Sequence, residues 1–328
     1  MRIMKVSESS RKLGQTDLRV SSVAMGAWPI SGMTSLEVND ADSLATLRAA
    51  FDSGIIFFDS AYCYGANGES DRLIARAFES CRDEIVIATK CGLHWGADGK
   101  MAHDASAAAI RRECDESLLR LGTDRVELLY LHAPDPKVPI EESAGALKAL
   151  LDDGKARSIG ASNFSVTQLA AFHAICPISA VQPPYNLIMR GIEKDVLPWC
   201  AEREISVCPY WPLMKGLLAG KLKRDHVFDP KDGRTKYPMF QGEEWLKNQD
   251  LVDDLREIAA DVGRTVSQLA INWTISQPGI TSALCGAKRA SQIEDSAGAM
   301  GWELTAEQRA RVEAALARRG EPVSRATV

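Results

Sequence analysis

The chain carries an acid, a base and a phenol with the placement that a proton-transfer site requires. Asp59 and Lys90 each end a short apolar run, FFD and EIVIATK, and Tyr64 follows five residues after Asp59 in a glycine-containing loop. A buried carboxylate needs a cationic partner, because an unpaired charge is costly in a protein interior. We therefore expect Asp59 and Lys90 to form a buried ion pair, with the ammonium group beside the Tyr64 hydroxyl.

This arrangement predicts acid–base chemistry on a carbonyl group. A neighbouring ammonium favours the phenolate, so we expect the pKa of Tyr64 to lie below its usual value of about 10. Such a tyrosine suits proton donation to a carbonyl oxygen, a role typically worth about 100- to 10,000-fold in rate. His132 ends the apolar run VELLYLH and is placed to polarise the same carbonyl by a hydrogen bond.

Each of these residues also has a simpler explanation when taken alone. Lys90 can be a strand-end lysine that reaches solvent, and His132 can be a satisfied core histidine. Asp59 can cap a turn, and Tyr64 can be an aromatic plug. Further polar residues end three later apolar runs, namely Ser162 with Asn163, Gln182, and Tyr210. This joint placement favours a functional site.

Strand-like and helix-like segments alternate along the chain. Residues 11–26 predict a β-hairpin around the turn-prone GQTD, leading into a first strand. The predicted strands span 22–25, 55–60, 84–90, 126–132, 156–162, 180–182, 205–210 and 281–286. The predicted helices span 39–51 (capped by Asn39), 69–79, 105–121, 140–151, 166–172, 192–203, 245–262, 266–276, 291–299 and 305–317, and a polar insertion occupies 221–244.

Eight apolar strands, each followed by a helix, are the number that a closed (β/α)8 TIM barrel needs. The alternative, an open doubly wound sheet that binds nucleotides, predicts a GxGxxG loop after an early strand, and none is present. We expect residues 1–328 to form a single α/β barrel domain with an amino-terminal β-hairpin and extra helices. The chemistry of such a barrel lies at the carboxyl ends of the strands, where the polar residues above would converge.

Composition excludes several function classes. The 328 residues carry a net charge of -5 with mixed signs, and no basic stripe indicates a nucleic-acid partner. No apolar run is long enough to span a membrane, and the first ten residues lack the hydrophobic segment of a signal peptide, so we expect a cytoplasmic protein. The eight cysteines and five histidines are dispersed, which predicts reduced thiols and no metal site. A monomer and a homo-oligomer remain equally open.

The motifs DSAYCYG, IATKCG, LLYLHAPD, IGASNF, VQPPYN, PYWPL and GAKRASQIEDS occur in an order that resembles the aldo-keto reductase superfamily over essentially the whole chain. The resemblance implies a catalytic tetrad of Asp59, Tyr64, Lys90 and His132, with Tyr64 as the proton donor. It implies hydride transfer from NADP(H) without a Rossmann motif. The residues that it implies for cofactor binding are Trp28, Ser162, Asn163, Gln182, Tyr210, Trp211, Pro212, Leu213, Lys221, Arg234, Gly286, Lys288, Arg289, Gln292 and Asp295.

By the same resemblance, each group of these residues has a role. The carboxamide would be held by Ser162, Asn163 and Gln182, while Tyr210 would stack on the nicotinamide ring. The pyrophosphate tunnel would be lined by Trp211, Pro212, Leu213 and Lys221, with Arg234 closing over it. Lys288 and Arg289 precede a predicted helix, which favours NADPH over NADH unless they form only a solvated loop. Trp211 in place of a serine, and Asp295-Ser296 in place of Glu-Asn, depart from the commoner family pattern.

The resemblance implies reversible, NADPH-dependent reduction of aldehydes or ketones. Aromatic residues at the mouth, namely Trp28, Tyr62, His94, Trp95 and Trp211, favour small or aromatic aldehydes, and sugar aldehydes stay open. The 221–244 insertion resembles the branch with potassium-channel β subunits, so a regulatory or redox-sensing subunit with incidental turnover is the alternative. A barrel glycosidase needs paired carboxylates, which the strand ends do not supply.

Overall fold

The computed structural model describes residues 10–33 and 37–323, so residues 1–9, on which the signal-peptide expectation depends, lie outside the described residues. The strands are β1 (Arg11–Lys12), β2 (Arg19–Val20), β3 (Val23–Gly26), β4 (Phe57–Asp59), β5 (Val86–Cys91), β6 (Leu93–Trp95), β7 (Met101–His103), β8 (Leu128–Leu131), β9 (Ile159–Ser162), β10 (Ala180–Gln182), β11 (Ser206–Val207) and β12 (Ala283–Gly286). The helices are α1 (Asp40–Asp52), α2 (Glu69–Phe78), α3 (Ala107–Leu121), α4 (Ile140–Asp152), α5 (Val166–His173), α6 (Val196–Ala201), α7 (Gly242–Val262), α8 (Val266–Ile275), α9 (Ala290–Ala297) and α10 (Ala306–Arg319).

Eight parallel strands form the central barrel. Their hydrogen-bonded order is β11-β10-β9-β8-β5-β4-β3-β12. Single parallel bridges from Val207 to Ile280 and from Tyr210 to Leu284 join the two ends of this order and close the sheet. The predicted (β/α)8 barrel is therefore confirmed. The predicted amino-terminal hairpin is also present, as the antiparallel pair β1–β2.

The strand pleat explains why the polar strand ends meet inside the barrel. Phe57, Ala88 and Tyr130 belong to the cluster of side chains that fills the barrel, whereas the residues between and around them face the helices. Side chains alternate along a strand with a period of two. Asp59, Lys90 and His132 each lie two residues beyond one of these inward residues, so the pleat directs all three into the mouth of the barrel.

Tyr130 packs tightly within the barrel, under the strand ends. Its ring lies directly against the backbone of Gly160 on the next strand, β9. A Cβ atom added at Gly160 would lie 2.3 Å from Cδ1 and Cε1 of that ring. A glycine is therefore required at this position by space and not by backbone conformation.

Two segments differ from the sequence-based expectation. Residues between β5 and α3 form the short antiparallel hairpin β6–β7, for which the turn sequence GADG was an overlooked signal. The single helix predicted at 192–203 is instead a short 3-10 helix, Gly191–Glu193, followed by α6, whose N-cap Asp195 accepts a hydrogen bond from the Val196 amide. Pro198 fits the first turn of a helix but would break the interior of the longer one.

The insertion at 221–244 is more ordered than a polar loop. It contains the short 3-10 helices Gly233–Lys236 and Pro238–Phe240, and α7 begins within it at Gly242. Phe228 and Phe240 pack against Trp245 of α7 with ring centroids 5.8 and 6.2 Å away. Aromatic packing thus fastens this segment to the barrel's outer layer.

The cysteines match the predicted reduced state. All eight are free, and only Cys81 is not fully buried. No helix within residues 10–33 and 37–323 has the length and apolar content needed to cross a membrane.

Candidate active site

The predicted ion pair lies at the carboxyl ends of β4 and β5. Lys90 Nζ donates to Asp59 Oδ1 at 2.5 Å and to the carbonyl oxygen of Ser60 at 2.8 Å, and both charged residues are 1% exposed. Gln182 Nε2 donates to the second carboxylate oxygen, Oδ2, at 2.8 Å. Burial raises the pKa of Asp59, while Lys90 and then Gln182 oppose that rise. The expected buried pair is thus confirmed, and both oxygens of the carboxylate are satisfied.

Tyr64 completes this group from the loop after β4. Its hydroxyl oxygen accepts a hydrogen bond from Lys90 Nζ at 3.3 Å. The loop is closed by hydrogen bonds to the Tyr64 carbonyl from the amide and hydroxyl groups of Ser70, at 3.2 and 3.1 Å. Gly65 follows with φ 101°, and a Cβ atom there would lie 2.8 Å from the Glu69 amide nitrogen. Only glycine fits a turn with this conformation and this approach.

The expected lowering of the Tyr64 pKa is wrong for this structure. Burial raises the pKa of Tyr64 well above its usual value, and the Asp59 carboxylate adds to the rise. The Lys90 ammonium lies closer to that carboxylate than to the phenol, so its charge is largely balanced. The tyrosine consequently keeps its proton at neutral pH, as a proton donor must.

His132 stands beside Tyr64, with ring centroids 6.0 Å apart. Its backbone amide donates to the Cys91 carbonyl at 2.9 Å, and its Nδ1 lies 3.7 Å from Cys63 Sγ. Burial, reinforced by the Lys90 charge, holds the pKa of His132 well below its usual value. The imidazole is therefore neutral and carries one N–H donor.

The residues expected to hold a carboxamide form one connected network at the next strand ends. Tyr210 donates its hydroxyl to Asn163 Oδ1 at 2.8 Å. Asn163 has the left-handed φ of 63° and donates Nδ2 to the His132 carbonyl at 3.0 Å and to Ser162 Oγ at 3.1 Å. Ser162 in turn donates to the Gln182 carbonyl at 2.8 Å. The network aligns four strands before any ligand binds.

The segment after β11 is cationic and has an unusual backbone. Trp211 and Lys215 have positive φ of 61° and 55°, and Lys215 Nζ lies 4.3 Å from the Trp211 ring centroid. Arg234 reaches towards this segment, because a Cβ atom on Gly216 would lie 3.7 Å from its NH1. Arg234 pairs with Asp232 at 2.6 Å. Pro212 is buried, Leu213 is partly buried, and Lys221 is exposed.

The predicted phosphate-binding residues lie around the start of α9. The Lys288 amide donates to Gln292 Oε1 at 2.9 Å, and exposed Arg289 pairs with Asp42 of α1 at 3.3 Å. Asp295 accepts the Thr265 hydroxyl at 2.8 Å. At the end of β12, a Cβ atom on Gly286 would lie 2.8 Å from Pro29, the neighbour of Trp28.

Two of the five expected mouth aromatics bond to carboxylates of α3. Tyr62 donates its hydroxyl to Glu116 of α3 at 2.8 Å, and His94 Nδ1 lies 3.1 Å from Glu113 of the same helix. Both side chains thus have carboxylate partners on α3. Trp28, a third expected mouth residue, packs edge-on against Tyr64 with ring centroids 5.0 Å apart.

The sequence analysis missed three residues near the site. Cys63 touches His132, Lys215 stacks on Trp211, and Asp232 pairs with Arg234. The DGR sequence at 232–234 was a signal for the last of these contacts, but no spacing indicated the other two. Within the part of the chain that the structure describes, no group of three or more His, Cys, Asp or Glu side chains is arranged to hold a metal ion. A groove of about 850 Å³ lies at the opposite, amino-terminal end of the barrel, away from this chemistry.

Sequence comparisons cover nearly the whole chain. Residues 22–317 match the aldo/keto reductase family. The chain is 38% identical to the aldo-keto reductase YhdN of Bacillus subtilis over 298 residues, and this alignment covers 90% of this chain and 89% of that protein. It is 35% identical to a probable voltage-gated potassium channel subunit beta of Arabidopsis thaliana, over 87% of this chain and 89% of the relative.

Two solved structures share the fold of this chain. The glycerol dehydrogenase of Gluconobacter oxydans superposes with a TM-score of 0.90 at 35% identity, covering 98% of this chain and 99% of that one. An aldo-keto reductase of Bacillus halodurans in its holo form shares the fold at a TM-score of 0.76 and 24% identity, over 94% and 96% of the two chains. The finer assignment to the branch with potassium-channel β subunits stays a prediction. The chain belongs to the aldo/keto reductase family, and is an oxidoreductase of carbonyl compounds.

Proposed function

We propose that this protein catalyses the reversible, NADPH-dependent reduction of aldehydes or ketones to alcohols, with Tyr64 as the proton donor. One observation carries the proposal. A buried ammonium, Lys90 Nζ, bridges the Asp59 carboxylate at 2.5 Å and the Tyr64 hydroxyl at 3.3 Å. Neutral His132 stands beside that hydroxyl. Tyr64 is thus a proton donor whose phenolate form the Lys90 ammonium is placed to stabilise.

The chain's own residues perform the proton chemistry. Tyr64 holds its proton at neutral pH and passes it to the substrate oxygen as negative charge develops there. Lys90 then stabilises the phenolate, and Asp59 keeps the ammonium in position. His132 donates its N–H to the same oxygen and polarises the carbonyl. A bound nicotinamide cofactor supplies the hydride.

The donor groups around the mouth fit a dinucleotide with phosphates. Lys288 and Arg289 adjoin the start of α9, whose N-cap residue, Arg289, makes no side-chain capping bond, and the N-terminus of a helix favours an anion. Lys215 and Arg234 lie about the segment after β11. We propose that the first pair binds a 2′-phosphate and that the second pair faces the pyrophosphate. The network of Asn163 and Tyr210 would hold the nicotinamide end.

Small carbonyl compounds and their alcohols are the proposed substrates. Trp28 packs edge-on against Tyr64. Trp95 and Tyr64 both pack against a small buried cluster formed by Ala61, Cys63 and Leu93. These rings narrow the approach to the proton donor. The similarity to a glycerol dehydrogenase supports including short polyols and their aldehydes among the candidates.

The first experiment is a fluorescence titration with NADPH and NADH, followed by NADPH oxidation with aromatic, short-chain and sugar aldehydes. Tyr64→Phe should lower kcat by about 100-fold or more and leave NADPH binding unchanged, because it removes only the proton donor. Tyr62→Phe is the matched control, since its hydroxyl bonds Glu116 on α3. Equal activity of the two variants would refute the role of Tyr64.

A regulatory subunit with incidental turnover is the second candidate. The similarity to a probable potassium channel subunit beta favours it. Tight NADPH binding without turnover across the aldehyde panel, together with a stable membrane-protein complex, would support it. Rapid turnover of one small carbonyl compound would argue for the enzyme.

A further inference from the structure

A thiol lies against the ring of the candidate polarising histidine. Cys63 Sγ is 3.7 Å from His132 Nδ1, within the range of a hydrogen bond to sulfur. Cys63 is 1% exposed and immediately precedes Tyr64 in the chain. One short segment therefore carries the proton donor and also touches the second group that would act on the substrate oxygen.

Cys63 is held firmly in this place. Trp95 of β6 donates its indole Nε1–H to the Cys63 carbonyl at 2.8 Å. Ala61 and Leu93 form a buried apolar cluster with Cys63, against which Tyr64 and Trp95 pack. A thiol fixed on several sides presents its sulfur to the imidazole in one geometry.

The chemistry of the two groups decides which of them donates. Burial raises the pKa of Cys63 to about 12, so the thiol keeps its proton. The imidazole of His132 is neutral and has one protonated and one unprotonated nitrogen. An sp² nitrogen is a much better acceptor than a thiol sulfur, which is a weak one. An S–H group that donates to Nδ1 places the ring proton on Nε2. Within the described ranges, no protein group hydrogen-bonds Nε2.

We propose that Cys63 is a positioning residue that holds His132 in the Nε2–H tautomer, with Nε2–H directed at the substrate oxygen. The inference rests on the proposed function for its catalytic consequence, but the tautomer itself is a property of the free protein. Without the thiol, the ring is free to place its proton on Nδ1 or to rotate. Either change removes the N–H donor from the carbonyl.

The direct test is long-range ¹H–¹⁵N NMR of the free protein labelled at histidine, with His132 assigned by comparison with His132→Gln. The expected result is a neutral His132 protonated on Nε2 in the wild type and in Cys63→Ser, whose hydroxyl also donates. Cys63→Ala should show a mixture of tautomers or an averaged ring. A wild-type ring protonated on Nδ1 would overturn the proposal without any variant.

Kinetics provide the second readout. Cys63→Ala should lower kcat by about tenfold at unchanged NADPH affinity, and Cys63→Ser should recover most of that loss. Cys114→Ala, which removes a buried thiol from α3, is the control for lost packing. Equal losses in Cys63→Ala and Cys114→Ala, or a tautomer unchanged by Cys63→Ala, would refute the positioning role. If the NMR experiment finds the predicted tautomer but the protein reduces no carbonyl compound, the proposed function is refuted and the positioning of His132 by Cys63 is not.

Discussion

Replacing Lys90 by methionine tests the energetics on which the site depends. Methionine has a similar length but no charge, so Asp59 would keep only the hydrogen bond from Gln182. Removing one partner of a buried ion pair typically costs about 3–5 kcal/mol, because the other charge stays buried without compensation. Both side chains of this pair are at most 2% exposed. We therefore expect the free energy of unfolding of Lys90→Met to fall by about 3–5 kcal/mol at about pH 8.

The loss should depend on pH in a defined direction. Burial already raises the pKa of Asp59, and loss of Lys90 raises it further. A carboxyl whose pKa is raised in the folded state stabilises that state fully below its unfolded pKa, about 3.9, and loses this contribution as pH rises through the folded value. Lys90→Met should thus be least destabilised near about pH 4 and progressively more so towards about pH 8.

Equilibrium urea unfolding, followed by tryptophan fluorescence, measures these quantities. Asp59→Asn combined with Lys90→Met should be more stable than the sum of the two single variants predicts, by about 2–4 kcal/mol, because neither charge is then left alone. Lys148→Met, which breaks an exposed pair with Asp152, is the control and should cost less than about 1 kcal/mol. Additive single-variant losses, or a Lys90→Met loss independent of pH, would refute the reasoning.

Two further predictions concern packing and titration. Gly160→Ala should cost about 3 kcal/mol or more in unfolding free energy, because its Cβ would lie 2.3 Å from the Tyr130 ring. The control, Gly145→Ala in α4, has open space around it and should instead stabilise the protein by about 0.5–1 kcal/mol. Similar changes in unfolding free energy for the two variants would contradict this packing argument. Burial raises the pKa of Glu113 from 4.5 to about 7, so its contribution to stability is complete below pH 4.5 and is lost as pH rises through about 7. Glu113→Gln should remove about 3 kcal/mol of that pH dependence, and parallel wild-type and variant stability curves from about pH 4.5 to 8 would exclude the shift.

Much of the architecture could be read from local patterns. Apolar runs alternating with helical segments predicted eight strands, and the absence of a glycine-rich nucleotide loop favoured the closed barrel. The residue that ends each run predicted the Asp59–Lys90 pair and the position of His132. These inferences succeeded because strand pleating has a period of two, and because parallel strands in a barrel end at one face.

The error at Tyr64 occurred where two groups compete for one partner, the Lys90 ammonium. The pKa of Tyr64 depends on whether Lys90 lies nearer the phenol or the carboxylate, a difference of less than 1 Å between 2.5 and 3.3 Å. Similarly, the sequence did not indicate that Tyr62 and His94 bond to carboxylates on α3. The spacing of residues along the sequence contains no information about such small differences in distance.

The sequence by itself determined which residue types stand at the strand ends, since the local alternation of apolar residues and helices fixes their position and face. Only the tertiary structure decided how those groups are shared, through the contacts of Gln182 with Asp59 and Cys63 with His132. Those partners lie 123 and 69 residues apart. Hydrogen bonding and charge stabilisation change steeply over fractions of an ångström, so the protonation of the site follows from folding and not from order along the chain.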